Sequence, residues 1–182
     1  MDLIKNLKLI SNKKEFNKNL ISLIFVNYSF KKNNNNYKYI KLSNDLSCVE
    51  RGLFRHNSSL NYVIIPNSVS VIHDYSFSYC VSLKYIKFPN SINYINNCAF
   101  DSCINLKYLN IPKSVKYIGS CAFRNCPNIK IISIPNSVKY LGSSCFTEYS
   151  NLNIIKIPLK YKNDLKIIFY RIDFNKINVI FT

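Results

Sequence analysis

Four consecutive segments decide the reading of this chain: IPNSVSVIHDYSFSYCVSLKYIK (65–87), FPNSINYINNCAFDSCINLKYLN (88–110), IPKSVKYIGSCAFRNCPNIKIIS (111–133) and IPNSVKYLGSSCFTEYSNLNIIK (134–156). They align without a gap, because Pro66, Pro89, Pro112, Pro135 and Pro158 recur every 23 residues. A fixed period of this length is the signature of a solenoid, in which each unit is one supersecondary module. Numbering each unit from its proline, apolar residues hold position 4 (Val69, Ile92, Val115, Val138), position 7 (Ile72, Ile95, Ile118, Leu141), position 12 (Phe77, Phe100, Phe123, Phe146) and position 18 (Leu83, Leu106, Ile129, Leu152). Positions 21 and 23 pair Ile86 with Phe88, Leu109 with Ile111, Ile132 with Ile134 and Ile155 with Ile157. That alternation predicts a half-buried strand. The proline ends it, having no N–H to give to a ladder. Positions 4–7 predict a second short strand, and positions 9–14 around the phenylalanine a single helical turn.

Working outward, Leu42–Ile64 keeps the pattern through Leu46, Val49, Phe54, Leu60 and Val63, with Ser43 in place of the proline. Before it, YKYIKL (37–42) copies LKYIKF (83–88), so a degenerate unit starts near Leu20 with an insertion around Asn33–Asn36. After Ile157, Pro158, Phe169 and Ile180 keep the period while Asp164 stands where Ile or Leu belongs. The chain thus divides into a lysine-rich segment (1–19), a degenerate first repeat (20–41), five repeats (42–157) and a degenerate capping repeat (158–182). Atypical ends are expected, since a terminal unit has one neighbour on which to bury its apolar edge. Six inward side chains do not offset the entropy of ordering 23 residues, so no unit stands alone and stacking is required.

The pattern LxxLxxIPNSVxxIxxxAFxxC is similar to that of the BspA-like leucine-rich repeat family, over 65–157 and, in degenerate form, over 20–180. The resemblance implies a leucine-rich-repeat-like, β-rich solenoid with a parallel sheet on its concave face. It also implies adhesion or protein binding, and a cell-surface setting.

Composition bounds the function. The net charge is +16, from 25 Lys and Arg against 9 acids, which points to an anionic partner, nucleic acid or a surface polymer. A rival cause is equally visible: Lys, Asn, Ile, Tyr and Phe make up 100 of the 182 residues, and all five have A/T-rich codons. Nothing at the N-terminus reads as a secretory signal and no stretch reaches the ~18 apolar residues of a membrane helix. Seven cysteines, an odd number, suit a reducing compartment better than a disulfide framework, so a cytoplasmic monomer is the default expectation.

Few residues suggest chemistry. Cys80, Cys103 and Cys126 share position 15 and Cys98 and Cys121 share position 10, giving CAFDSC and CAFRNC. Structural zinc uses shorter spacings and convergent pairs, and these cysteines recur because the unit recurs, so they read as small buried side chains of the turns. His56 and His73 lie in different units, Cys145 is a position-11 packing residue, and no Gly-rich phosphate loop occurs. Neither catalysis nor a cofactor is expected.

Stacking in register instead creates outward columns with a rise of about 4.8 Å. Position 20 gives Tyr39, Tyr62, Tyr85 and Tyr108, then Ile131 and Ile154; position 22 gives Lys41, Ile64, Lys87, Asn110, Ser133 and Lys156. From these, Tyr39, Tyr62, Tyr85, Tyr108, Lys41, Lys87, Asn110 and Lys156 form the candidate partner-binding set, because tyrosine is enriched where proteins meet. A tyrosine ladder that only stabilises the sheet is the competing explanation. Tyr94, Tyr117 and Tyr140 at position 6, beside Asn93, Lys116 and Lys139, form a second strip. Lys84, Lys107 and Lys130 at position 19 form a lysine column, in which neighbours repel by about 0.9 kcal/mol in water. Interleaved Tyr and Lys would also suit nucleic acid.

Overall fold

The alternation at positions 20–23 folds as written. In the computed structural model, which describes residues 38–182 and the backbone of Leu9–Ile10 and Leu23–Val26, the chain is a parallel β-solenoid of about six turns. Strands β1 (Leu9–Ile10), β2 (Leu23–Val26), β3 (Tyr39–Leu42), β5 (Tyr62–Ile64) and β7 (Tyr85–Lys87) join in one sheet. Strands β10 (Ile131–Ser133), β12 (Ile154–Ile157) and β13 (Asn178–Phe181) form another. Within each run the register follows the repeat: Tyr39 faces Tyr62, Tyr62 faces Tyr85 and Ile131 faces Ile154. The segment expected to carry an insertion, Asn33–Asn36, lies outside the described residues.

Positions 6 and 7 supply a second sheet of five strands, β4 (Cys48–Val49), β6 (Val71–Ile72), β8 (Tyr94–Ile95), β9 (Tyr117–Ile118) and β11 (Tyr140–Leu141), all parallel. The regular units are therefore flattened coils with a strand on two sides. The core between them holds positions 4, 7, 12, 18 and 21, most of them wholly inaccessible to solvent. Its spine is a file of phenylalanine rings, Phe54, Phe77, Phe100, Phe123, Phe146 and Phe169, with neighbouring centroids 5.0–5.5 Å apart.

The segment at positions 9–14 is a pair of linked tight turns, not the single helical turn the spacing suggested. Left-handed residues occur at position 10 (Gly52, Tyr75, Cys98, Cys121, Ser144) and position 14 (His56, Tyr79, Ser102, Asn125, Glu148, Arg171). For side-chain-bearing residues this conformation costs about 1–2 kcal/mol each. What offsets it is a backbone ladder between turns: Cys98 N–H donates to Ser120 C=O, Phe100 to Ala122 and Ser102 to Arg124, at 3.0, 2.8 and 2.8 Å. The same three bonds join the units that carry Phe54 and Phe77. A helix would satisfy its amides internally and leave no such rungs.

Repeated polar positions finish the junctions. The hydroxyls of Ser91, Ser114 and Ser137 donate to the position-4 carbonyls of Val69, Ile92 and Val115 (2.6–2.9 Å). The amides of Asn105, Asn128 and Asn151 donate to the position-16 carbonyls of Val81, Ile104 and Pro127 (2.7–3.0 Å). These bonds explain why Ser and Asn recur at their places in the repeat.

The last unit departs from the period. Strand β13 pairs Asn178 with Ile154 and Ile180 with Lys156, a spacing of 24. Ile180 was expected at an inward position, and the extra residue turns it outward, because a one-residue slip exchanges the faces of a strand. Phe169 still stacks on Phe146, so the added residue lies between 170 and 177, where a 3-10 turn at Phe174–Lys176 absorbs it. The short helix α1 (Leu165–Ile168) stands where other units have their tight turn.

Candidate binding surface

The cysteines separate into two classes. Cys80, Cys103 and Cys126 are buried and each thiol donates to the carbonyl of the phenylalanine one unit back, Phe54, Phe77 and Phe100, at 3.0–3.3 Å. Tyr149 takes the same place in the next unit, and its hydroxyl donates to Phe123 C=O at 2.7 Å. Burial pushes the Cys80 and Cys126 thiols up to about 12, which suits a donor and not a nucleophile. Cys145 is likewise buried, its single S–H within donating distance of the carbonyls of both Gly119 and Gly142. Cys98 and Cys121 differ from the expectation: at position 10 they are only half-buried. The left-handed turn carries them outward, although partial burial and the neighbouring Cys121 still raise the Cys98 thiol. Among the described residues no three His, Cys, Asp or Glu side chains converge as a metal site. His56 stacks on Tyr79 (4.9 Å) and His73 lies 3.5 Å from the Asn96 amide, so each histidine is engaged by the next unit of the stack.

The tyrosine column resolves unevenly. Tyr62 stacks on Tyr85 with centroids 4.8 Å apart and planes within 17°, and Tyr39 leans on Tyr62 at 6.2 Å. All three are half-buried, and burial raises the Tyr62 phenol, with Tyr85 adding to it. Tyr108 stands apart, 66% exposed and joined to Tyr85 by one isolated bridge. Beside it Ile131 is 50% exposed. At position 22 Lys41 is half-buried, while Lys87, Asn110 and Lys156 are exposed. The predicted set thus lies on one face, with Tyr39, Tyr62 and Tyr85 packed on one another and Tyr108 presented singly. The second strip forms too: Tyr117 stacks on Tyr140 (4.6 Å) and Tyr94 tilts against Tyr117.

The feature that sequence reasoning missed lies between these residues. The main sheet stops after Tyr108 and restarts at Ile131. Where the strands are continuous, the N–H groups at positions 19 and 20 both donate to the position-19 carbonyl of the unit before: Lys84 and Tyr85 to Asn61, Asn153 and Ile154 to Lys130. Lys130 and Ile131 make no such bond to Lys107. Nor does Ile111 N–H reach Ser133 C=O, as Ile65 reaches Lys87 and Ile134 reaches Lys156. A cleft of about 590 Å³ opens there, lined by Lys107, Tyr108, Leu109, Asn110, Asn128, Lys130, Ile131 and Ser133. A signal exists in hindsight: Tyr108-Leu109-Asn110 has no β-branched residue, where the paired strands read YIK, YVI, IIS and IIKI. Asn is also depleted in strands.

With the coil, its phenylalanine spine and its carbonyl-capping serines and asparagines described, the sequence can be placed. The family model for the BspA type leucine rich repeat region matches in six copies, over residues 12–128 and 70–181. The chain belongs to the BspA-type leucine-rich repeat family. Among solved structures it is similar to the T. pallidum leucine-rich repeat protein TpLRR (TM-score 0.67, 24% identity, covering 84% of this chain and 69% of that one). It also resembles a leucine-rich repeat protein from Bacteroides ovatus (0.65, 25%, 81% and 34%) and the pneumococcal vaccine antigen PcpA (0.58, 19%, 78% and 40%). The chain spans well under half the length of the latter two. No curated protein matches its sequence. These likenesses establish the fold, and the BspA-type repeat accounts for the columns of Phe, Ser and Asn. Among the described residues no helix is long and apolar enough to cross a membrane.

Proposed function

We propose that this BspA-type chain is a non-enzymatic module that binds a protein partner across the outer face of its main sheet, with the contact centred on Tyr108 and Ile131. The observation carrying this reading is the exposure of those two large side chains at equivalent positions of successive units, on either side of the break in the main sheet and over a buried core. Rigid aromatic anchors of this kind concentrate binding energy. Lys87, Asn110 and Lys156 then supply the polar surround, while Tyr39, Tyr62 and Tyr85 hold one another and the sheet. The test is photo-cross-linking from position 108 of the full chain against host and cell-surface protein fractions, repeated with Tyr108→Ser/Ile131→Ser and with Tyr94→Ser/Tyr140→Ser on the opposite sheet. The first variant should lose the partner and the second keep it. The reverse result refutes the assignment.

A second reading, binding of nucleic acid or an anionic surface polymer, is favoured by the column Lys84, Lys107 and Lys130, none of which pairs with an acid among the described residues. It requires affinity that falls steeply with salt. A monomer in a reducing, cytoplasmic setting is the companion proposal, supported by buried thiols whose hydrogens are committed to carbonyls. Thiol titration of chain isolated without reductant should count seven free groups.

A further inference from the structure

The break in the main sheet has the chemistry of a docking slot. Its two walls are a turn of chain at Lys107–Asn110 and strand β10, and the main-chain groups that would have bridged them have no backbone partner among the described residues: Lys107 C=O and Ile111 N–H on one side, Ile131 N–H and Ser133 C=O on the other. Leu109 holds an inward position and still lines the cleft. Unmade backbone bonds at a strand edge are a template for another strand. Four residues of wall at about 3.3 Å each match the length of an extended segment of four residues, and about 590 Å³ falls in the range of ligand pockets, roughly 300–1,000 Å³.

Charge says which segment. Lys107 and Lys130 flank the cleft with no acidic partner among the described residues, and no carboxylate stands among its lining residues. Asn110, Asn128 and Ser133 add polar atoms at the rim, while Tyr108, Leu109 and Ile131 supply apolar surface. An extended peptide offers alternating faces, so acidic side chains can point to the two lysines while intervening apolar ones rest on Tyr108 and Ile131. We propose that the cleft between Lys107–Asn110 and Lys130–Ser133 takes up an extended acidic peptide segment of a partner protein by strand addition. This rests on the protein-binding reading above and specifies its site and the partner's chemistry. Nucleic acid could meet the lysines, but phosphates only accept hydrogen bonds and would leave the Lys107 and Ser133 carbonyls unserved.

The test uses the full chain and a pool of synthetic eight-residue peptides with Glu at alternate positions and Val, Ile, Leu or Thr between them. Backbone hydrogen exchange is followed residue by residue, together with anisotropy of the fluorescein-labelled pool. Exchange should slow at the amides of Ile111 and Ile131. The exposed charge reversal Lys107→Glu/Lys130→Glu should weaken binding at least tenfold and confer binding of a pool with Lys in place of Glu. Three results overturn the slot: no protection at millimolar pool, protection confined to Tyr39–Tyr85, or protection by an oligothymidylate and not by the peptides. In each of these cases, partner capture from position 108 that survives shows the face reading standing without the slot. Loss of that capture as well removes both.

Discussion

At the junction between the unit of Phe100 and the unit of Phe123, the two sides of the coil are built differently. On the turn side every rung is made: three backbone bonds of 2.8–3.0 Å, two rings 5.2 Å apart, and a bidentate ion pair in which Arg124 donates to the buried Asp101 carboxylate at 2.9 and 2.7 Å. The second sheet also continues, with Tyr94 and Ile95 paired to Tyr117 and Ile118. On the main-sheet side of the same junction the ladder is absent. The stack is therefore held by its turns and core, and the main sheet is the part with freedom to open. That ordering matters for function, because a repeat protein can expose unpaired strand groups only where something else keeps neighbouring units together.

The most damaging test of this ordering is Phe123→Ala. The ring is wholly buried between Phe100 and Phe146, and its removal should cost about 3–5 kcal/mol, read as a lower urea midpoint. A cost below ~1 kcal/mol would mean the phenylalanine spine is not what joins the units. Gly119→Ala probes the second-sheet side of the same junction: an added Cβ would lie 2.6 Å from the Asn97 main-chain nitrogen and 2.7 Å from the Asn96 carbonyl carbon. Since backbone cannot move aside as a side chain can, the expected loss is about 1–3 kcal/mol. Tyr149→Phe is a smaller perturbation. It deletes one buried hydroxyl and its bond to Phe123 C=O, for about 1 kcal/mol. Unchanged stability would show that position 15 acts by volume and not by capping the carbonyl.

How far the fold was legible follows from which interactions recur. Position 12 must be Phe in every unit because each ring packs on its copies, and positions 21 and 23 must be apolar because each strand buries the same face, so periodicity alone revealed both. The left-handed turns were hidden, since Cys98, Ser102 and Asn125 are tolerated there by virtue of rungs made to the next unit, which no local propensity encodes. The 24-residue final unit was hidden by a coincidence: Ile180 satisfies the apolar pattern at a spacing of 23, and the pairing that overrides it depends on how the chain turns at Phe174–Lys176. The candidate surface was half legible. The column of tyrosines was visible, but whether a given ring is packed or presented depends on whether its neighbour's strand is paired, and that failed only at Tyr108.

The gentlest change sharpens the comparison most. Leu109→Ile/Asn110→Val gives the unpaired segment the β-branched composition of its neighbours while preserving the inward and outward pattern. If weak strand propensity opens the sheet, pairing to Ile131–Ser133 should be restored, with a gain of about 0.5–1 kcal/mol and slower exchange at the Ile131 and Ile111 amides. The same variant should bind the Glu-alternating peptides several-fold less well, because the groups they would use are consumed by the repaired ladder. If exchange at Ile131 does not slow, the opening is set by how the units are seated on the turn side, through contacts such as that of Gly119 against Asn97. The break would then belong to the scaffold and not to three residues of strand.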